Sequence, residues 1–247
     1  MDRLIYTAMG GAQQVLGRQA AVAQNLANVS TTGYRAIESS FRAVPVQGEG
    51  LATRTYVVEQ TTGANLAAGP LQRTGRELDV AVQGAGWIAV QTEAGTEAYT
   101  RNGNLQVSAN GQLQTRGGLA VLGEGGPISV PPDGSLSIAA DGTVSLASSD
   151  PPGKSVSSVG RIKLVNPDQK SLVRGDDGLF RLPGGASAEA DPGVRLDSGA
   201  LEGSNVNVVE EMISMISLAR QFDLQMQLMS NAERDAAKAS EILNIRA

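Results

Sequence analysis

Residues 25–35 read Asn25-Leu26-Ala27-Asn28-Val29-Ser30-Thr31-Thr32-Gly33-Tyr34-Arg35. This stretch has the composition of a helix end. Asn28 tolerates a left-handed backbone, the hydroxyl groups of residues 30–32 bond to the local backbone, and Gly33 permits a tight turn. Tyr34 can then pack the outgoing segment against the helix. The stretch therefore predicts that a helix ends near residue 28 and that an extended segment follows it.

The residues before this stretch have the pattern of an amphipathic helix. Apolar or small residues recur in alternating steps of three and four, with Gln19 filling one position, and this is the period of a coiled-coil-like seam. The opposite face carries amides and the single charge of Arg18, whereas a solvated helix face usually carries more charge. We therefore predict a helix over residues 1 to about 28, wedged among other helices. Its seam consists of Ile5, Ala8, Ala12, Val15, Val22 and Leu26.

Residues 207–247 repeat this pattern at the other end of the chain. Asn207 is a candidate N-cap, and Glu210 stands three positions later, as in a capping box. Because seams this thin do not stabilise isolated helices, we predict that the two terminal helices pair with each other and with those of neighbouring subunits. The seam of this helix consists of Met212, Met215, Ala219, Phe222, Met226 and Met229.

Between the two helices, the sequence changes to short alternating runs that are bounded by turn dipeptides. Asn-Gly and Asp-Gly supply the positive φ angles of tight hairpin turns, and the runs around them alternate apolar and polar residues. This pattern predicts a compact, mainly antiparallel β domain. The turns are marked by Asn102-Gly103, Asn110-Gly111, Asp133-Gly134, Asp141-Gly142 and Asp177-Gly178.

The predicted fold class is α+β, with terminal α-helices that pair in a coiled-coil-like layer and a central β domain. Segments rich in Gly, Thr and Ser join the two parts and predict extended β legs. The predicted division is a discontinuous helical assembly domain over residues 1–30 plus 207–247, linker legs over 31–75 plus 190–206, and a β domain over 76–189.

The composition excludes the common hydrolytic chemistries and argues against a nucleic-acid partner. The 247 residues include no His and no Cys, which excludes a Ser-His-Asp triad, a Cys nucleophile, a His/Cys zinc site and a disulfide. The net charge of −5, without a block of Lys and Arg, argues against nucleic acid as a partner. No apolar run reaches the roughly 18 residues of a membrane-spanning helix, and the short apolar start does not predict a cleaved signal peptide. We expect no enzyme activity, catalytic residue, metal, cofactor or small-molecule substrate.

The stretch at residues 25–35 resembles the signature of the bacterial flagellar rod and hook proteins. It matches the pattern Asn-Leu-Ala-Asn-x-x-Thr-x-Gly-aromatic-basic at every defined position and, as in that family, follows the first helix. The segments 84–90, 99–103 and 201–206 are similar to parts of the family's β domain and return leg. The family motif is carried by Asn25, Leu26, Ala27, Asn28, Thr31, Gly33, Tyr34 and Arg35.

Two further segments indicate the subtype within this family. Residues 1–9 look most like the start of proximal rod members. Many relatives carry an aromatic-Glu-x-Asn string in the last helix, where this chain has Phe222-Asp223-Leu224-Gln225. This departure argues against the distal rod and hook members.

The resemblance implies a structural, self-assembling subunit of the flagellar basal-body rod, which crosses the periplasm and transmits torque. It implies other proximal and distal rod proteins and further copies of the chain as partners, and passage through the flagellar export apparatus without a cleaved signal peptide. The terminal helices would form an inner tube and the β domains an outer layer. Two alternatives stay open: a secreted non-flagellar fibre or adhesin subunit with a β head on a helical stalk, and a peptidoglycan-acting enzyme.

Overall fold

The structure is a computed structural model that describes residues 2–45, 55–131, 134–147 and 156–244. The chain divides into two compact units, and each unit combines segments that are far apart in sequence. The helical unit comprises Met1–Ala27, Ile37–Asn65 and Val206–Ala247, and the β unit comprises Asn28–Ala36 and Leu66–Asn205.

Two long helices dominate the helical unit, α1 over Asp2–Ala27 and α2 over Val208–Asn244. Both predicted helices are thereby confirmed. Asn207 caps α2 as expected, because its Oδ1 accepts a hydrogen bond from the backbone N–H of Val209 at 3.1 Å. This bond satisfies one of the donors that a helix start leaves without a partner in the helix.

The two helices pack against each other in an antiparallel direction. Gly11 lies against Gln225 near the start of α1, and Asn25 hydrogen-bonds Glu211 near its end. The residue numbers of both facing pairs therefore add up to 236. A small apolar cluster lies between the two helices. That the helices pair as a coiled-coil-like layer stays a prediction. The cluster consists of Val15, Val22 and Leu218, with Met215 and Phe222 at its margin.

An antiparallel hairpin completes the helical unit. Its strands are β1 (Ile37–Pro45) and β2 (Thr55–Ala64), and residues 46–54 between them lie outside the described part of the chain. The guanidinium of Arg18 lies 5.5 Å from the ring centroid of Phe41, a cation–π contact between α1 and the hairpin. Residues 37–45 thus pair with residues 55–64 within the helical unit, where the sequence predicts a linker leg.

The β unit is built from short strands. They are β3 (Leu71–Arg73), β4 (Val80–Gln83), β5 (Trp87–Gln91), β6 (Glu97–Thr100), β7 (Leu105–Val107), β8 (Leu113–Thr115), β9 (Ala120–Gly123), β10 (Gly126–Pro127), β11 (Ser135–Ile138), β12 (Thr143–Ala147), β13 (Val156–Arg161), β14 (Leu164–Val165), β15 (Val173–Arg174), β16 (Phe180–Arg181), β17 (Arg195–Ser198) and β18 (Ala200–Glu202), with 3-10 turns at Gln169–Ser171 and Pro183–Gly185.

The largest sheet of the β unit has the strand order β15-β16-β6-β5-β9-β8-β7, with β10 beside β9 and β14 beside β5. The strands β11, β12 and β13 form a second sheet in chain order, and β17 pairs with β4 and β18 with β3. All of these pairings between described strands are antiparallel. The predicted α+β class with a mainly antiparallel β body is therefore confirmed.

One apolar core holds the strands of the β unit together. In β12 the alternation predicted from the sequence places Val144 and Leu146 inward. At one margin of the core, the ring of Trp87 lies 4.5 Å, centroid to centroid, from that of Phe180. Residues 190–205 belong to this unit, while the sequence assigns them to a linker leg. The predicted three-part division of the chain stays a prediction.

Candidate assembly site

Three segments that are distant in sequence meet at the carboxylate of Glu202 in the β unit. Arg35 Nη2 lies 2.6 Å from Glu202 Oε1, and Arg101 Nη1 lies 3.0 Å from Glu202 Oε2. The backbone N–H of Gly69 donates a third hydrogen bond to Oε1, at 2.9 Å. All three charged side chains are buried. Glu202 therefore connects three parts of the β unit: Arg35 at the end of the family motif, Arg101 directly after β6, and the backbone at Gly69.

The backbone around Gly33 brings the motif into this position. Gly33 has a φ of +69°, and its N–H donates to the carbonyl oxygen of Glu202 at 2.7 Å. A Cβ atom at residue 33 would lie 2.3 Å from the carbonyl carbon of Arg101, so that any side chain would collide with the backbone. Both the positive φ and the close approach require glycine here.

The side chain of Asn205, in the segment that precedes α2, hydrogen-bonds to the backbone directly after the family motif. Its Oδ1 accepts a hydrogen bond from the N–H of Ala36 at 2.7 Å, and its Nδ2 donates to the carbonyl oxygen of Ala67 at 3.0 Å. A side-chain amide can thus replace a backbone partner on two segments at once. The motif is held by its neighbours over residues 202–205 as well as by its own turn.

Charge in this cluster is not balanced, because two guanidinium groups share one carboxylate. Burial lowers the pKa of Arg101 below its ordinary value, Glu202 opposes this shift, and the positive charge of Arg35 adds to it. The guanidinium of Arg101 also lies 5.3 Å from the ring centroid of Trp87, which offers a further electrostatic contact. Removal of one partner from a buried ion pair typically costs about 3–5 kcal/mol, so Glu202 is central to the stability of the β unit.

In the helical unit, Asn25 joins three elements. Its Oδ1 accepts from the N–H of Ile37 at 2.7 Å, while its Nδ2 donates to the carbonyl oxygen of Ile37 at 3.1 Å and to Glu211 Oε1 at 2.8 Å. Asn25 is only 2% exposed. The side chain therefore connects the end of α1 with the start of β1 and the first turn of α2.

The other motif residues have more local contacts. The N–H of Thr31 donates to the carbonyl oxygen of Asn28, and its hydroxyl lies 3.1 Å from Asn28 Oδ1. Asn28 does not have a left-handed backbone, since no described non-glycine residue has a positive φ. The guanidinium of Arg174 lies 5.1 Å from the ring centroid of Tyr34. Leu26 is half-buried and Ala27 is exposed.

The predicted seam of α1 faces inward within the helical unit. Ala8, Ala12, Val15 and Val22 are buried, and Ile5 and Leu26 are half-buried. The predicted seam of α2 divides into two sets. Met215, Phe222 and Met229 are half-buried, whereas Met212, Ala219 and Met226 are exposed. A role of either set in assembly stays a prediction.

The residue of α2 that the sequence analysis missed is Leu218. It is 3% exposed and packs between Val15 and Val22. Spacing alone could not find it, because a stripe through Leu218 and one through Ala219 share Met215 and Phe222. Side-chain size is the signal that separates them, since Leu buries more apolar area than Ala. Glu202 and Arg101 were also missed, although they stand in segments quoted for the family resemblance.

The arrangement around Glu202 holds segments of the β unit together. Both carboxylate oxygens accept hydrogen bonds, and the Arg35 side chain is fully buried. Within the described ranges, no three potential ligands from acidic side chains come together to hold a metal ion. Across those same ranges, no helix combines the length and apolar character needed to cross a membrane.

Comparison with known protein families gives three matches along the chain. The family described as "Flagella basal body rod protein" matches residues 5–35. "Flagellar hook protein FlgE/F/G D1 domain" matches residues 81–146, and "Flagellar basal body rod FlgEFG protein C-terminal" matches residues 197–242. The first match contains the motif with Asn25 and Arg35, and the third contains Glu202.

Individual relatives are similar over the full length. The flagellar basal-body rod protein FlgF of Salmonella typhimurium is 49% identical over 251 residues, which covers 99% of this chain and 100% of the relative. FlgF of Escherichia coli K12 has the same identity and coverage. FlgF of Caulobacter vibrioides is 30% identical over 248 residues, which covers 98% of both chains.

Proposed function

The chain belongs to the family of flagellar basal-body rod proteins, and we propose on this premise that it is a structural subunit of the proximal rod. The observation that carries this proposal is the 49% identity to FlgF proteins over both whole chains. The site supports it, because the family-matched segments at 5–35 and 197–242 supply the two partners Arg35 and Glu202 of a buried ion pair.

We propose that the terminal helices form the assembly interface. Met212, Ala219 and Met226 leave apolar or small side chains exposed on α2, and burial of apolar surface favours association. The partners in this proposal are further copies of the chain and other rod proteins, both proximal and distal. Torque would pass through the packed helices.

Location and export complete the proposal. A rod subunit acts in the periplasmic space and reaches it through the flagellar export apparatus. We propose that no signal peptide is cleaved from α1, because Ala8 and Ala12 are buried within the folded helical unit. The proposal also holds that the protein is not an enzyme, in keeping with relatives that are named as rod proteins. These relatives give no support to a non-flagellar fibre or adhesin.

Deletion of the gene, followed by complementation, tests the proposed function. Cells without the gene should be non-motile and should lack the rod beyond its innermost part, and the wild-type gene should restore both. The protein should then be found in purified basal bodies by mass spectrometry. Motile deletion cells with complete rods would contradict the proposal.

A further inference from the structure

Two sides of α1 are occupied within the helical unit, and a third side is open. One side packs on α2 and another on the hairpin of β1 and β2. From residue 6 to residue 27 the open side follows steps of three and four residues, and all of its members are exposed and uncharged. We call it the outer stripe of α1; it consists of Tyr6, Met9, Gln13, Leu16, Ala20, Ala23 and Ala27.

An uncharged open side is unusual for a helix in contact with water. A solvated helix face normally carries charged residues, and Tyr6, Met9 and Leu16 are 53%, 41% and 49% exposed. The stripe repeats the period of the buried seam on the same helix, so it has the geometry to receive a second helix. Its last three members are alanines, which allow close approach of that helix.

A matching surface lies on α2. Its outer stripe begins with large apolar residues, of which Val209, Ile213 and Ile216 are 64%, 62% and 56% exposed. A shallow groove of about 430 Å³ continues along the helix from Ile213 to Leu224. We call this surface the outer stripe of α2; it consists of Val209, Ile213, Ile216, Arg220 and Leu224.

We propose that the outer stripe of α1 in one copy packs on the outer stripe of α2 in a second copy, in the antiparallel register of the intramolecular pair. This inference rests on the proposed function and specifies the contact between subunits. The register places Ala27, Ala23 and Ala20 opposite Val209, Ile213 and Ile216, so that a small residue faces each large one. The contact extends an interface that the helical unit already contains.

Side-chain size selects this register over its neighbours. A shift by one heptad in one direction places Ala23 opposite Arg220, and a shift in the other direction places it beyond the start of α2 at Val208. Each shift keeps only one alanine opposite a large apolar residue, Ala27 opposite Ile216 or Ala20 opposite Val209, whereas the proposed register has three such pairs. The contact joins two different surfaces, so each bound copy still offers a free stripe to the next one. Heterologous contacts of this kind build helical assemblies.

Cysteine cross-linking tests the proposal directly, because the chain has no cysteine of its own. Cells whose chromosomal copy is deleted would express Ala23→Cys and Ile213→Cys on two separate chains, and isolated basal bodies would be oxidised. We expect disulfide-linked dimers of the two chains. Met9→Cys with Gln227→Cys tests the same register near the other end, and Ala20→Cys with Ile216→Cys gives a second pair in the alanine region.

The matched control combines Ala23→Cys with Gln227→Cys, two exposed positions that the register keeps apart. Because a disulfide requires Cα atoms within about 7 Å, the register pairs should give at least about tenfold more dimer than the control. Equal yields, or cross-links to a different protein in place of a second copy, would overturn the inference. If the wild-type chain occurs in basal bodies and all three register pairs fail, this inference alone fails; if the wild-type chain is absent from them, the proposed function fails.

Discussion

Arg35 and Glu202 stand 167 positions apart in the chain, yet their side chains form a fully buried ion pair at 2.6 Å. The pair connects the turn after the first helix with the segment before the last one. Both residues lie in the β unit. The ion pair therefore holds the turn that follows α1 against the segment that precedes α2 within the β unit.

We predict that Glu202→Gln destabilises the β unit by about 3–5 kcal/mol, because it leaves the buried guanidiniums of Arg35 and Arg101 without a counter-charge. The fluorescence of Trp87, the one tryptophan of the chain, reports unfolding of this unit in urea. Glu189→Gln is the matched control, since Glu189 is exposed. A loss below about 1 kcal/mol for Glu202→Gln, in the range of exposed ion pairs, would contradict the role given to this cluster.

Gly33→Ala tests the turn that carries the motif. The new Cβ would collide with the backbone of Arg101, and the φ of +69° is unfavourable for alanine, so we expect at least about 2 kcal/mol of destabilisation. Gly125→Ala is the control in the same unit, because a Cβ there meets no atom within 4 Å. Equal unfolding midpoints of the two variants would show that the turn does not need glycine.

We predict that the folded protein loses stability at alkaline pH because of the Tyr99 hydroxyl group. Burial raises its pKa from 10.0 to about 12, and its oxygen accepts a hydrogen bond from the N–H of Ala188 at 2.7 Å. The unfolded chain therefore loses this proton first as the pH rises. The stabilisation is complete below pH 10 and is lost as the pH approaches about 12.

Tyr99→Phe has no such proton to lose. Between pH 10 and about pH 12, the free energy of unfolding of the wild type should therefore fall relative to that of the variant. The measurement is urea unfolding at a series of pH values, with tyrosinate absorbance of the folded proteins as a second readout. The wild type should show an absorbance step near pH 12 that the variant lacks. A stability difference that stays constant with pH would contradict the prediction.

Substitutions in α2 separate the two sets of apolar residues on this helix. Leu218→Ala removes a buried side chain and should destabilise the helical unit by about 2–5 kcal/mol, measured as helix unfolding by circular dichroism. Met212→Ala changes an exposed residue and should leave the unfolding of the free protein within about 0.5 kcal/mol of wild type. Similar losses for both variants would contradict the placement of α2 on α1.

The sequence predicts those features that local chemistry decides. Asn28, Thr31 and Gly33 are residues typical of a helix end, and the structure ends α1 at Ala27. The steps of three and four in α1 identify its buried residues Ala8, Ala12, Val15 and Val22, because few other residues compete for that side.

The sequence pattern does not predict features that depend on partners far away in the chain. In α2, apolar residues surround much of the helix, so spacing alone could not decide between Leu218 and Ala219. The pairing of residues 37–45 with residues 55–64 becomes visible only as a register between two strands. Glu202 likewise gives no local sign that Arg35 and Arg101 are its partners.

Maleimide labelling of Met212→Cys in two states tests whether this chain is a rod subunit that assembles through its terminal helices. The residue is 49% exposed in the free protein, so the purified variant should label readily. In intact basal bodies the same cysteine should be protected, and it should label once the basal bodies are dissolved in denaturant. Equal labelling of the intact basal bodies and the free protein, or absence of the protein from basal bodies of motile cells, would contradict the claim.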